Sequence, residues 1–116
     1  MTADEQAVLE GLFGEGVTER NEGGRRLILL PIVTLPAGCR PETTFGIYVA
    51  SEHSGYETRL FLETPITRAD GRSPAVTTDV ICGRTMYAAS WRGVSASLPL
   101  HEGILAHLRL YDTVTT

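Results

Sequence analysis

Cys82 is the residue whose type and place can do chemistry. It follows the apolar pair Val80-Ile81 and precedes Gly83, so an extended segment delivers a thiol to a point where the backbone turns. A nucleophile needs such placement, with fixed backbone before it and open space beside it. The same residue also suits a core, because free cysteine packs as a small hydrophobe. Thr78, Asp79 and Arg84 stand close by in sequence: a hydroxyl, an acid and a base. The second cysteine, Cys39, lies in Leu35-Pro36-Ala37-Gly38-Cys39-Arg40-Pro41, a loop by its prolines and glycine, with only Arg40 near enough to activate a thiol. His53, His101 and His107 are the available bases for a cysteine–histidine hydrolase, but no spacing or local motif ties any of them to a cysteine.

The elements that must position these residues follow from pattern. Residues 4–13 predict a short helix, with Asp4 and Glu5 in its first turn, Ala7, Val8, Gly11 and Leu12 on one face, and Gly14 and Gly16 ending it. Residues 17–20 predict a short strand, then a turn at Asn21-Glu22-Gly23-Gly24. Residues 25–34 predict a strand with a continuous apolar run, which implies burial on both faces or a helix packed over it. Pro31 cannot donate to a ladder, so that point is an edge or a bulge. Residues 43–50 and 56–62 predict two more strands joined by a turn at 51–55, and Thr64-Pro65 stops the second. Such short connections imply an antiparallel meander. Residues 65–79 read as a long irregular loop running straight into Cys82, and residues 85–91 as a short extended or turn segment. Trp91, the single tryptophan, is expected to pack on the core. A closing helix over 98–111, capped by Ser97, carries the stripe Leu100, Ile104, Leu108 and Tyr111, joined by Leu105. His101 and His107 fall beside that stripe and read as surface residues, and residues 112–116 as a frayed tail.

Composition bounds the function. A chain of 116 residues makes one domain, 1–116, with room for a single core. Fourteen acids against ten bases disfavour nucleic-acid binding, and no basic run offsets that balance. The longest apolar stretch, residues 27–33, is too short to span a bilayer, and the acidic, polar start is unlike a signal peptide. A cytoplasmic location is therefore expected, with both cysteines as thiols. No CxxC, HExxH or close His/Cys cluster points to a metal.

Helix, meander of three or four strands, cysteine-bearing loop and closing helix make an α+β two-layer domain. That order resembles the ubiquitin-conjugating fold. Ile81-Cys82-Gly83 resembles the isoleucine-cysteine-leucine step that carries that family's thioester cysteine. Trp91, nine residues on, sits where the family has a tryptophan before its crossover helix, and Leu98-Pro99-Leu100-His101-Glu102-Gly103-Ile104-Leu105 resembles the start of that helix. The chain is similar more closely to compact prokaryotic ubiquitin-conjugating-like families, through Leu35-Pro36-Ala37-Gly38, Tyr56, Pro65, Asp70-Gly71-Arg72-Ser73-Pro74 and Ala89-Ser90-Trp91. The resemblance covers roughly residues 5–111. Such families resemble components of bacterial operons that also encode a ubiquitin-like protein, an activating enzyme and a JAB-type metallopeptidase, some acting in anti-phage defence.

The resemblance implies an acyltransferase. Cys82 accepts the C-terminal glycyl group of a ubiquitin-like protein from an activating enzyme and passes it to an amine on a target protein. Asp79 orients or deprotonates that amine, and Arg84 favours the thiolate. The family's histidine-proline-asparagine tripeptide is absent, and Asn21 is the single asparagine, so Thr77, Thr78 or backbone N–H groups beside Cys82 take over oxyanion stabilisation. The helices that follow the crossover helix are also absent. No cofactor is implied; nucleotide and metal belong to the activating enzyme. The alternative is a non-catalytic module of the same fold, similar to RWD-type domains. In it Cys82 only packs, and the first helix and the loop at 35–41 form a docking surface.

Overall fold

The computed structural model describes residues 1–51, 55–90 and 93–112. Expectations for Trp91, for His53 and for the end of the tail fall outside them. Among the described residues the architecture is α+β: an antiparallel six-stranded sheet with two helices.

The longest strand, β2 (Arg25–Thr34), is the spine of the sheet; Leu27, Ile28, Leu30 and Val33 of its apolar run are buried, on both faces, while Ile32 is exposed. It pairs with β1 (Thr18–Glu22) through the two-residue turn Gly23-Gly24, and with β3 (Thr43–Val49), which pairs in turn with β4 (Arg59–Leu62). Both turn glycines take positive φ, at 58° and 80°, as tight hairpin turns require. Pro31 falls where the β2–β3 register shifts between Leu30 and Val33, so the missing N–H is absorbed at an irregularity.

The meander of four strands is then extended. Residues 76–79, expected at the end of a long loop, join the extended Val80-Ile81 in β5 (Val76–Ile81), and β6 (Arg84–Ala89) returns beside it through Cys82-Gly83. Strand β6 pairs with β4, giving the order β1-β2-β3-β4-β6-β5. The cysteine-bearing loop is therefore corrected to a hairpin turn, and three or four strands to six. The residues that concealed this are Thr77, Thr78 and Asp79. They read as polar loop, but β5 is an edge strand with one solvated face.

Pleating sorts the side chains into two clusters. On one face Ile28, Leu30, Tyr48, Leu60 and Leu62 meet both helices. Helix α1 (Ala3–Phe13) opens with a capping box between Thr2 and Glu5 and ends at Gly14, whose φ is 91°. It docks through Leu9 and Phe13, while Val8 and Leu12, expected on the buried face, are exposed. Helix α2 (Leu100–Leu108), continued by a 3-10 turn at Arg109–Tyr111, buries the expected stripe of Leu100, Ile104, Leu108 and Tyr111. Pro99 precedes it with no side-chain cap, and Ser97 bonds to Ser95 instead. His107 is a second correction. It lies inside the core at 5% exposure, with Nε2 2.8 Å from the Thr58 hydroxyl. Burial, with Arg59 adding to it, pushes its pKa down to about 4.

On the other face Leu27, Ile47, Val49, Phe61, Ile81, Met86 and Ala88 form a second cluster, with Cys82 packed against it. The sheet curls around this cluster. The β1–β2 hairpin meets the β5–β6 hairpin through an Arg25–Asp79 ion pair and through the Cys82 N–H, which donates to the Glu22 carboxylate. No described helix is long and apolar enough to cross a membrane.

Candidate active site where two hairpins meet

Cys82 and Gly83 are the two central residues of the β5–β6 turn, closed by the pair Ile81 and Arg84. Both take positive φ, at 52° and 77°. Gly83 does so without strain, but a residue with a β-carbon gives up roughly 1–2 kcal/mol in this region. Cys82 is the one non-glycine residue with positive φ among those described. Asparagine, aspartate and glycine are the residues that such turns select.

The opposite hairpin supplies the surroundings. In antiparallel pairing, opposed residues share a face, so Arg20 opposite Leu27 and Glu22 opposite Arg25 both lie on the curled side of β1. The Cys82 N–H donates to Glu22 Oε2 at 3.1 Å. The thiol is half-buried, and Glu22 and Arg20 are the charged groups that act on its proton. Burial raises its pKa above the usual thiol range, and the Glu22 carboxylate raises it further through charge and as a hydrogen-bond acceptor. Arg20 pulls the other way but does not reverse the shift. The resting species at neutral pH is therefore the protonated thiol. Glu22 is itself braced by Arg25, whose Nη2 donates to Glu22 Oε1 at 3.0 Å.

The other expected site residues are placed unevenly. Asp79 faces the curl, opposite buried Met86, and its Oδ2 accepts from Arg25 Nη1 at 3.4 Å. It thus joins the cluster through Arg25. Thr78 points to the other side of β5, four positions before Cys82, about 13 Å along the strand. It is not brought to the thiol. Thr77 shares the face of Asp79 but lies a further position away, opposite Ala88. Arg84, expected to favour the thiolate, lies with its guanidinium carbon 5.0 Å from the centre of the Phe45 ring and pairs with Glu63 at 3.2 Å. The cation that favours the thiolate is instead Arg20, on the face of β1 that carries Glu22. Cys39 is buried at 1% exposure, its Sγ donates to the Tyr111 carbonyl at 3.3 Å, and burial raises its pKa. It is a packing residue.

Arg20 and Glu22, absent from the sequence-based site, lie 62 and 60 positions before Cys82. The alternation Thr18, Arg20, Glu22 was a usable signal for a shared face. That this face curls round to meet the cysteine was not encoded locally.

No family model, curated protein or solved structure matches the chain. Fold and site define it as an α+β domain with a thiol–carboxylate–arginine cluster at the seam of a curled antiparallel sheet.

Proposed function

We propose that the chain is a ubiquitin-conjugating-like acyl carrier in a ubiquitin-like conjugation system, with Cys82 as the thioester residue. The observation that carries this reading is the strained position of Cys82. A turn that favours asparagine or glycine holds a thiol at positive φ, half-open to solvent and beside a carboxylate. Backbone strain of this kind clusters at functional sites.

The chemistry has two steps. The Cys82 sulfur attacks the carbonyl carbon of a glycyl thioester held by an activating enzyme, and the activating enzyme's thiol leaves. Because the acyl group arrives already activated, the exchange needs no permanent thiolate. An amine on a target protein then attacks the new thioester. A C–N bond forms, the C–S bond breaks, and Cys82 takes back a proton. Glu22 is the group placed to receive the proton at each attack, a role expected of Asp79 from sequence. Asp79 supports it by holding Arg25. Backbone N–H groups of the turn are the remaining candidates for the oxyanion. A role in anti-phage defence follows only from the resemblance to bacterial operon components.

A second reading has its own observation. The raised thiol pKa and the packing of Cys82 against the second cluster favour a non-catalytic protein-binding module of RWD type. The two separate on a non-reducing gel, after incubation with a ubiquitin-like protein and activating enzyme from the same genome, ATP and magnesium. The carrier reading predicts a reductant-sensitive adduct that survives Cys39→Ala and is lost in Cys82→Ala. With a demonstrably charged activating enzyme, no adduct leaves the module reading.

A further inference from the structure

All ten basic residues of the chain are arginine; among 116 residues there is no lysine. Some of these positions demand arginine. Arg26 grips Glu19 with Nε and Nη2 at 3.1 and 3.2 Å, a fork that lysine cannot form. Arg59, 3% exposed, spans the carbonyls of Ala88 and Ala89 and lies over the Tyr56 ring. Others make no such demand. Arg84 gives Glu63 a single hydrogen bond at a site where both side chains are about half exposed, at 55% and 48%. Arg68, about a quarter exposed, gives Asp70 one hydrogen bond. An ammonium group can make the same single bond there, and at position 84 it can also lie over the Phe45 ring. Packing and pairing therefore do not explain the exclusion of lysine.

The difference that remains is chemical. A guanidinium stays protonated and offers no nucleophilic lone pair, whereas a lysine amine loses its proton readily and attacks acyl groups. Arginine, moreover, is the cation on the face of β1 that Glu22 presents to the Cys82 turn, at Arg20, and the one that braces Glu22, at Arg25. The Met1 amine is also engaged, 2.6 Å from Glu19 Oε1 in a largely buried ion pair. We infer that the chain is built to carry an acyl group without accepting it: the cationic positions around Cys82 are filled by a side chain that cannot capture the thioester, so the group is kept for an external amine. This rests on the thioester reading of Cys82 and names what protects that intermediate.

The test loads the thiol chemically. The full chain is treated at alkaline pH with the 2-mercaptoethanesulfonate thioester of a short peptide ending in glycine. Cys82 sulfur takes the acyl group and mercaptoethanesulfonate leaves as the thiol. Intact mass and reductant sensitivity are then followed in the wild type, Arg20→Lys, Arg72→Lys and Cys82→Ala. Arg72 lies before the far end of β5 from the turn. The inference predicts a wild-type adduct that stays reductant-sensitive until an external amine is added, and none in Cys82→Ala. It predicts that Arg20→Lys shortens the thioester lifetime about tenfold or more and leaves an amide of the same mass on residue 20, because the amine is tethered on the face that Glu22 presents to Cys82. Arg72→Lys behaves as wild type. Amide formation within the wild-type chain, an unchanged lifetime in Arg20→Lys, or a wild type that takes no acyl group overturns it. Failure of the enzyme reading shows separately, as a chain that loads chemically but receives nothing from a charged activating enzyme.

Discussion

At the residue scale, Cys82 sits where a hairpin asks for something else. If the thiol is retained for its chemistry, replacing it with a residue suited to positive φ relieves strain. Cys82→Asn is expected to raise stability by about 1 kcal/mol, read as a higher denaturation midpoint with an unchanged slope. A loss of stability would mean that packing against the second cluster outweighs the backbone term. Glu22 sets the second prediction. Its negative charge and its acceptor oxygen both hold the proton on sulfur. Removing the charge lowers the thiol pKa, so Glu22→Gln is expected to alkylate with iodoacetamide severalfold faster at pH near 8, its rate profile displaced to lower pH. An unchanged profile would remove Glu22 from the site.

At the element scale, the close approach of α2 to the sheet depends on one missing side chain. A β-carbon on Gly103 would collide with the hydroxyl of Tyr48 and lie 2.9 Å from its ring carbon Cζ. Tyr48 is 1% exposed and has no open space to swing into. Gly103→Ala gains up to about 1 kcal/mol of helix propensity and loses about 1–3 kcal/mol to overpacking. Net destabilisation in a denaturant titration is expected, and a stabilised variant would show that α2 is free to lift. The sequence revealed α2 well, because leucines and an isoleucine at helical spacing leave few alternatives. It revealed β5 poorly. An edge strand needs apolar residues on one face only, and Thr77 and Asp79 on the curled face broke even that alternation. The β1–β4 meander was legible from its turns; the attachment of the β5–β6 hairpin to β4, skipping β5, was not, because pairing partners are chosen by contacts remote in sequence.

At the scale of the whole molecule, the core carries a histidine whose titration couples to folding. His107 is held near 4 by burial, against 6.5 for a free imidazole. The unfolded chain takes up this proton first, so stability contributed by the neutral ring is complete above about pH 6.5 and falls as pH drops towards 4, by about 3 kcal/mol in total. Glu19 acts in a lower window. Arg26, then the terminal amine, hold its carboxyl down to about 2, so its contribution disappears between 4.5 and 2. Unfolding free energy measured from pH 7 to 4 is expected to decline, and His107→Gln, which keeps a partner for Thr58, to flatten that decline. A flat wild-type profile would place the ring in solvent. The candidate site also belongs to this scale. Cys82 was visible from its neighbours, but Glu22 joins it, with Arg20 on the same face, only because the sheet curls until its two outer hairpins meet. The most direct measurement of the central claim is intact mass after incubation with the activating enzyme and ubiquitin-like protein. The comparison is between wild type and Cys82→Asn, a variant expected to be folded and at least as stable. A reductant-sensitive adduct on the wild type and none on the variant is the expected result; an adduct that persists on Cys82→Asn, or none on either chain, would contradict it.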